Sequence, residues 1–182
     1  MKKLALEEIG RQRLSAEQAR QASRFPIMAL LDNIRSLYNV GSIFRTADAT
    51  RLEKLYLCGI TGRPPRKEID KTALGAAETV PWEYHPNAVE VLQGLKARGV
   101  AIVALEHTSE SRPHWEIEFP FPCCLVIGNE VWGIQEEVLQ CADAAMEIPM
   151  FGAKHSLNAS VAFGIAVYEM VARYLRRHPQ AT

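Results

Sequence analysis

Three segments of the chain combine glycine with amide, carboxylate, hydroxyl or guanidinium side chains. They read LDNIRSLYNVGSIFRTADA from Leu31, VIGNEVWGI from Val126 and IPMFGAKHSLNASVA from Ile148. Each segment lies where an apolar run that is predicted to be a buried strand ends. Ligands of open parallel sheets bind in loops beyond the carboxyl ends of the strands. We therefore expect the chemistry of this protein in these three loops.

The first segment places Asn39, Gly41 and Arg45 just before or within a predicted helix. Free backbone N–H groups at a helix N-terminus, together with two polar side chains, can bind an anion. A helix cap followed by a solvated arginine has the same spacing and is much commoner. Spacing alone therefore favours the structural interpretation of this segment.

In the second segment, Gly128, Asn129 and Glu130 directly follow an apolar strand. A glycine at this point lets a ligand approach the backbone, and the glutamate can meet a cation or a ligand hydroxyl group. The alternative is the start of a helix, because Asn129 is a good cap and Glu130 and Glu136 suit its positive end. The residues leave both interpretations open.

The third segment places Ser156 and Asn158 before a helix rich in small residues. Ser156 fits a helix N-cap, which is its structural interpretation. Asn158 is predicted inside the first helical turn, where a buried amide requires a hydrogen-bond partner. We therefore expect Asn158 to contact another polar group.

Motifs of several common enzyme classes are absent from the sequence. It has no GxGxxG after the first strand, no GxxxxGK[ST] and no GxSxG, which removes the main support for NAD, ATP or serine-hydrolase chemistry. The histidines form no HExxH motif. The cysteines show no CxxC spacing and are expected to be reduced and structural; they are Cys58, Cys123, Cys124 and Cys141. We therefore predict chemistry without a metal ion.

Strands and helices alternate in the predicted secondary structure. Predicted strands cover residues 27–31, 54–58, 79–84, 100–105, 123–127 and 145–148. Predicted helices cover residues 1–24, 40–47, 88–98, 135–141 and 157–177, whereas the loop 59–70 and residues 107–121 receive no element. This alternation predicts an α/β fold, with a largely parallel sheet covered by helices on both faces.

Length and composition indicate a folded soluble protein. With 182 residues, 48% hydrophobic and 23% charged, the chain suits one compact domain. No apolar run approaches the roughly 20 residues that a membrane span needs. The opening MKKLALEEIGRQRL is too charged for a signal peptide, so we expect a cytoplasmic protein without membrane contact.

Taken together and in this order, NVGSIFRTADA, VIGNEVWGI and IPMFGAKHSLNASVA resemble the three signature motifs of the SpoU-like RNA 2'-O-methyltransferases, a branch of the SPOUT class. The resemblance covers about residues 27 to 175, and three motifs in register are far more specific than any one of them. It implies methyl transfer from S-adenosylmethionine to a ribose 2'-hydroxyl. It also implies a homodimer with composite active sites, and a trefoil knot that general topology rules would not predict.

This resemblance divides the chain into an N-terminal helical extension, residues 1–24, and a SPOUT methyltransferase domain, residues 25–182. It also implies roles for individual residues. The implied S-adenosylmethionine pocket is lined by Ile127, Gly128, Asn129, Glu130, Ile148, Met150, Ser156, Leu157 and Asn158. Catalysis is implied chiefly for Arg45, with Asn39 and Glu130 as supporting groups and Ser156 and Asn158 organising the site.

The chemical role of Arg45 follows from its permanent charge. A ribose hydroxyl becomes a good nucleophile only as its proton leaves, but an arginine stays protonated and makes a poor general base. We expect Arg45 to bind the neighbouring phosphate or the developing alkoxide with its forked N–H groups. Phosphate or water then accepts the proton.

Candidate RNA contacts are basic side chains in two regions. They are Arg11, Arg13, Arg20 and Arg24 in the predicted N-terminal helix, and Arg63, Arg66, Lys67 and Lys71 near the proline-containing loop. The net charge is zero, but the first 71 residues carry more basic than acidic side chains. Solvated surface charge is the alternative for each. The loop is favoured because its prolines stiffen a turn between predicted core elements.

Three other functions were weighed against ribose methylation. They are a catalytically silent RNA-binding protein, a transferase for a small molecule, and a methyltransferase acting on an RNA base. The presence of Arg45, Asn39 and Asn158 disfavours the first, and the absence of a small-substrate motif disfavours the second. The SpoU type of the first motif favours ribose oxygen over a base nitrogen. We expect transfer RNA, rather than ribosomal RNA, as the substrate.

Overall fold

Seven parallel strands form one sheet in the computed structural model, which describes residues 1–11 and 13–180. The strands are β1 (Phe25–Asp32), β2 (Leu52–Cys58), β3 (Trp82–His85), β4 (Ala101–Leu105), β5 (Arg112–Pro113), β6 (Cys123–Ile127) and β7 (Ala144–Glu147). Their order is β3-β2-β1-β6-β4-β7-β5, and every pairing is parallel. The predicted α/β class is confirmed, and the knot is an expectation from the family resemblance.

Helices cover this sheet. They are α1 (Leu6–Gly10), α2 (Ala16–Gln21), α3 (Leu37–Ala49), α4 (Lys67–Ala73), α5 (Ala88–Ala97), α6 (Glu136–Leu139) and α7 (Ala159–Arg177), with a short 3-10 helix at Ala76–Glu78. In the part of the chain that the structure describes, no helix combines the length and the apolar character needed to cross a membrane.

The core has two layers, one on each face of the sheet. Successive residues of a strand point to opposite faces, so β1 sends Ile27, Ala29 and Leu31 to one layer and Met28 and Leu30 to the other. The first layer is completed by α3, α4 and α7, and the second by α5 and α6. Because both faces are covered, β4 and β6 are apolar throughout, and every residue of β6 is buried.

The N-terminal prediction of one helix over residues 1–24 is wrong, because this region contains the two short helices α1 and α2. Helix α2 begins at a capping box, in which the Ser15 hydroxyl oxygen accepts a hydrogen bond from the backbone N–H of Gln18 and the Gln18 side-chain oxygen accepts one from the backbone N–H of Ser15. The side chain of Arg24 then fixes α2 to the sheet. Its guanidinium donates to the backbone oxygens of Ala19, Leu52 and Thr79 at 3.1, 3.0 and 2.7 Å.

Besides the 3-10 helix at Ala76–Glu78, two elements lie where no element was predicted. Helix α4 covers the end of the proline-containing loop, because Ile69 and Ala73, four residues apart, are buried against α3. Gly41 of α3 permits this close approach, since a Cβ atom there would collide with Thr72 and the backbone of Ile69. The second element is β5, a two-residue edge strand paired with β7. Sequence patterns of this length carry little periodic signal.

Candidate active site

The three polar segments meet at the carboxyl edge of the sheet. They follow β1, β6 and β7, and the loop after β4 lies beside them because β4 stands between β6 and β7. All the strands are parallel, so these four loops open at the same edge. The fold therefore brings together residues that are more than 100 positions apart in sequence.

A chain of hydrogen bonds connects one residue from each segment. The Asn39 amide nitrogen donates to Glu130 Oε1 at 2.8 Å, and the Asn158 amide nitrogen donates to Asn39 Oδ1 at 3.0 Å. Glu130 also accepts the backbone N–H groups of Arg35 and Ser36 at 2.9 and 3.0 Å. These contacts define the Glu130–Asn39–Asn158 network, which fixes the start of α3 against the loop after β6 and the start of α7.

The carboxylate of Glu130 is held in its ionised form. Burial alone would raise the pKa of Glu130, but the hydrogen bonds from Arg35, Ser36 and Asn39 outweigh it, so the pKa lies below the ordinary value. A carboxylate that accepts three donors has few free lone pairs. Glu130 therefore positions other elements more readily than it removes a proton.

Asn158 is the N-cap of α7, not a residue of its first turn as predicted. Its Oδ1 accepts the backbone N–H of Ser160 at 2.9 Å and that of Val161 at 3.4 Å, so the helix begins at Ala159. The structural interpretation of Ser156 as the N-cap is wrong for the same reason. The amide nitrogen of Asn158 has the partner that the sequence required, namely Asn39.

Asn129 closes a tight turn. It does not cap a following helix, which was the structural interpretation of this residue. Its backbone exchanges two hydrogen bonds of 2.9 Å with Gly133, and its Oδ1 accepts the N–H of Val131 at 2.9 Å. Its amide nitrogen reaches back to the Asn33 carbonyl at 2.7 Å. The next helix, α6, starts only at Glu136.

Gly128 is required by the close packing of this turn. A Cβ atom at position 128 would collide with the backbone of Gly133 and Ile134. The absence of a side chain therefore allows the backbone of residues 133 and 134 to pack directly against Gly128.

A cavity with a volume of about 320 Å³ lies between the loops after β4, β6 and β7. Eight of the nine residues predicted for the cofactor pocket line it: Ile127, Gly128, Asn129, Glu130, Ile148, Met150, Ser156 and Leu157. Asn158 is not part of the lining. The volume is at the lower end of the range for small-molecule and cofactor pockets, which spans about 300 to 1,000 Å³.

Several lining residues escaped the sequence analysis, chiefly Glu106, His107 and Trp132. Glu106 Oε2 accepts the backbone N–H of Ile134 at 2.9 Å, and Oε1 accepts that of His107 at 2.9 Å. The sequence does carry a signal for Glu106, because this glutamate directly follows the apolar strand β4. The sequence does not indicate that Glu106 lies beside the second segment, because β4 becomes a neighbour of β6 only through the sheet order.

Arg45 stands apart from the cavity. It is exposed in the second half of α3 and does not line the cavity. The six residues from Asn39 to Arg45 turn the helix so that the two side chains point roughly 120° apart. Within one chain, the structure therefore brings Asn39, Glu130, Ser156 and Asn158 together but leaves Arg45 on another surface.

The predicted RNA contacts divide into free and occupied side chains. Arg11 and Arg13 are exposed, as are Arg63, Arg66, Lys67 and Lys71, which we call the basic patch. In this patch the guanidinium carbon of Arg63 lies 4.2 Å from the ring centre of Tyr84, and the Lys71 ammonium lies 5.9 Å from that of Tyr38.

The proposed RNA role of Arg24 is wrong, because backbone carbonyls occupy its guanidinium. Arg20 likewise donates to the Glu78 carbonyl.

Among the residues that the structure describes, no group of three or more histidine, cysteine, aspartate or glutamate side chains could hold a metal ion.

Comparison with known proteins identifies the family. The sequence model of the SpoU rRNA Methylase family matches residues 26–168. The tRNA (guanosine(18)-2'-O)-methyltransferase of Thermus thermophilus is 32% identical over 150 residues, which are 82% of this chain and 76% of that protein.

Two solved structures share the fold. One is the TrmH/SpoU tRNA modifying enzyme of A. aeolicus, with a TM-score of 0.80 and 31% identity over 89% of this chain and 83% of that one. The other is the SpoU methyltransferase AviRb of Streptomyces viridochromogenes in complex with AdoMet, with a TM-score of 0.77 and 27% identity over 85% and 63% of the two chains. The chain whose three motifs meet beside this cavity is a member of the SpoU rRNA Methylase family.

Proposed function

We propose that this protein transfers a methyl group from S-adenosylmethionine to a ribose 2'-hydroxyl of RNA, and that the RNA is transfer RNA. The observation that carries the proposal is the Glu130–Asn39–Asn158 network, which joins the three motifs beside the cavity. The name of the Thermus thermophilus relative supports both the ribose oxygen and transfer RNA. The AdoMet complex of AviRb supports the cofactor.

The residues of the cavity fit this cofactor. Gly128 lies in the wall of the cavity, and Ile127, Ile148 and Leu157 provide apolar contacts for an adenine ring. Glu106 keeps acceptor capacity beyond its two backbone partners, and acceptors of this kind bind hydroxyl or ammonium groups. When bound, S-adenosylmethionine supplies a sulfonium methyl group as the electrophile.

In the proposed reaction, a ribose oxygen attacks the methyl carbon while the carbon–sulfur bond breaks and the pair of electrons stays on sulfur. The hydroxyl proton passes to a phosphate or to water. Arg45 binds the phosphate or the developing alkoxide and aligns the oxygen. Asn39, Glu130 and Asn158 position the loops, and Ser156, which lines the cavity, orients the cofactor.

A homodimer explains how Arg45 takes part in this reaction. Arg45 is exposed and lies away from the cavity of its own chain, so we infer that it acts at the cavity of a second copy. Helix α7 has a surface suited to such an interface. Val161 and Tyr168 are 51% and 55% exposed on one side of it, and open space surrounds Gly164 between them.

Transfer RNA fits the positive charge beside the site. The basic patch and Tyr38 lie at the start of α3 and along α4, and lysines and arginines of this kind bind phosphates. The patch belongs to the same helix pair that carries Asn39 and Arg45.

The experiment is methyl transfer from labelled S-adenosylmethionine to RNA from a strain that lacks the gene, with transfer RNA and ribosomal RNA separated. The proposal predicts label in transfer RNA, abolished by Arg45→Ala and strongly reduced by Arg45→Lys, which retains charge but loses the forked contact. Arg98→Ala, at the end of α5 on the other face of the sheet, is the matched control and keeps activity. Label confined to ribosomal RNA contradicts transfer RNA as the substrate. Full activity of Arg45→Lys contradicts the forked contact of Arg45.

A further inference from the structure

The cavity carries an unbalanced set of charges. Three of its lining side chains are carboxylates, namely Glu106, Glu130 and Glu147. Among the described residues that line it there is no lysine and no arginine. The lining of this chain is therefore negative around neutral pH.

Each carboxylate is fixed by hydrogen bonds to neighbouring groups. Glu147 Oε2 accepts the Ser111 hydroxyl at 2.6 Å and lies 3.4 Å from His107 Nδ1. The Ser111 hydrogen bond, followed by that of His107, lowers the pKa of Glu147. Glu106 is held by the backbone N–H groups of His107 and Ile134. Glu106 and Glu147 follow the paired residues Leu105 and Met146, so the two carboxylates lie next to each other at the ends of the adjacent strands β4 and β7.

The proposed cofactor and its product differ in charge at one atom. S-adenosylmethionine carries a positive sulfonium, whereas S-adenosylhomocysteine carries a neutral thioether at the same position. The adenosine and amino-acid parts are identical. The fixed negative charge of the glutamates therefore favours binding of the positively charged cofactor over binding of the neutral product.

We propose that Glu106 and Glu147 make the cavity select the sulfonium cofactor over its neutral product. The inference rests on the proposed use of S-adenosylmethionine and goes beyond it, because neither residue belongs to the three motifs. Methyl transfer removes the positive charge of the sulfonium. The product S-adenosylhomocysteine, which must leave the cavity, is therefore bound more weakly. The two glutamates are specificity-determining and need not touch the reacting atoms.

The expected size of the effect follows from Coulomb's law. A unit charge about 8 Å from the sulfur, at an effective dielectric constant of about 40, changes an affinity about fivefold. Because Glu106 and Glu147 are neighbours, we expect the effects of the two carboxylates not to be simply additive. The methyl group of the cofactor and Arg45 are the same in every variant, so their contributions to the affinities cancel when the variants are compared.

The test measures dissociation constants of both ligands by calorimetry, without RNA and at one fixed pH. The quantity of interest is the ratio of the product constant to the cofactor constant. We expect Glu106→Gln to lower this ratio about fivefold, because only cofactor binding weakens, and Glu147→Gln to lower it less, because solvent screens its carboxylate. The matched control is Glu53→Gln, an exposed carboxylate at the amino end of β2, which leaves the ratio unchanged.

A second measurement on the unmodified protein avoids any effect of substitution on folding. Raising the salt concentration screens fixed charges and should lower the same ratio. An unchanged ratio in both variants, or equal weakening of both ligands, overturns the inference while leaving the cofactor proposal intact. If the unmodified protein binds neither ligand, the proposed cofactor is itself wrong.

Discussion

The amide nitrogen of Asn158 donates a hydrogen bond of 3.0 Å to the amide oxygen of Asn39, 119 residues earlier in the chain. Asn158 also caps α7, and Asn39 also donates to Glu130. One side chain thus starts the C-terminal helix and connects it to the helix that carries Arg45. The stability of α7 and the geometry of the proposed active site are therefore coupled.

Replacing Asn158 should reveal this coupling. Asn158→Ala removes the cap and leaves Asn39 Oδ1 without its donor, so we expect the free energy of unfolding to fall by about 2 kcal/mol. Methyl transfer by the folded protein should fall as well. Urea unfolding and the methyl-transfer assay measure the two effects.

The control for this prediction is Asn87→Ala, which removes the N-cap of α5 far from the site. It should cost about 1 kcal/mol and leave the activity of the folded protein unchanged. Asn158→Asp keeps a cap acceptor but cannot donate to Asn39, so it should lose activity with a smaller loss of stability. Full activity of both Asn158 variants would contradict the role of the network.

The contribution of Glu130 should depend on pH. Its pKa in the folded protein lies below the ordinary value of 4.5, so its ionised form stabilises the fold above that value. This contribution is lost as the pH falls through the lower folded value. We expect Glu130→Gln to be less stable than the unmodified protein at neutral pH, and the difference to shrink as the pH falls below the ordinary value and through the lower pKa of the folded protein. A difference that stays constant over this range would show that the charge of Glu130 plays no part.

Gly128→Ala should weaken cofactor binding. The new Cβ atom meets the backbone of Gly133 and Ile134, so the loop from Asn129 to Gly133 must move away from its place in the cavity wall. We expect the dissociation constant for S-adenosylmethionine to rise at least about tenfold, which corresponds to about 1.4 kcal/mol.

The matched control is Gly94→Ala within α5, where a Cβ atom has open space. That change should stabilise the protein by roughly 0.5 to 1 kcal/mol and leave cofactor affinity unaltered. Equal cofactor affinity of Gly128→Ala and the unmodified protein would show that the loop does not contact the ligand.

Charge reversal in the basic patch should weaken RNA binding only. Lys67 and Lys71 are one turn apart on α4 and exposed, so the double variant Lys67→Glu, Lys71→Glu removes about two phosphate contacts. The slope of the logarithm of affinity against the logarithm of salt concentration should become shallower by about 2. Arg98→Glu on the opposite face is the control. Loss of cofactor affinity together with RNA affinity would argue against a separate RNA surface.

The sequence predicted the sheet well because its strands are short apolar runs with polar ends. The prediction for β6, residues 123–127, matches the observed strand, and the predicted start of α5 at Ala88 is also confirmed. Helix α4 was not predicted because it follows two prolines and buries only Ile69 and Ala73. The break between α1 and α2 depends on a local capping box within a continuous polar stretch.

Side-chain partners were beyond the reach of sequence patterns. The sequence indicated that the Asn158 amide requires a partner, but Asn39 becomes that partner only when α7 packs beside α3. The place of Glu106 depends in the same way on the insertion of β6 between β1 and β4. The position of Arg45 on a different surface from Asn39 follows from helix geometry, so it could have been predicted from the six-residue spacing in the sequence.

The most direct test of the account identifies the atom that receives the methyl group. Transfer RNA methylated by the purified protein is hydrolysed in alkali, which cleaves only next to a free 2'-hydroxyl, and the products are analysed by mass spectrometry. We predict an alkali-resistant dinucleotide that carries the methyl group on ribose and is absent with Arg45→Ala. A methyl group on a base, with every linkage cleaved, would contradict ribose methylation.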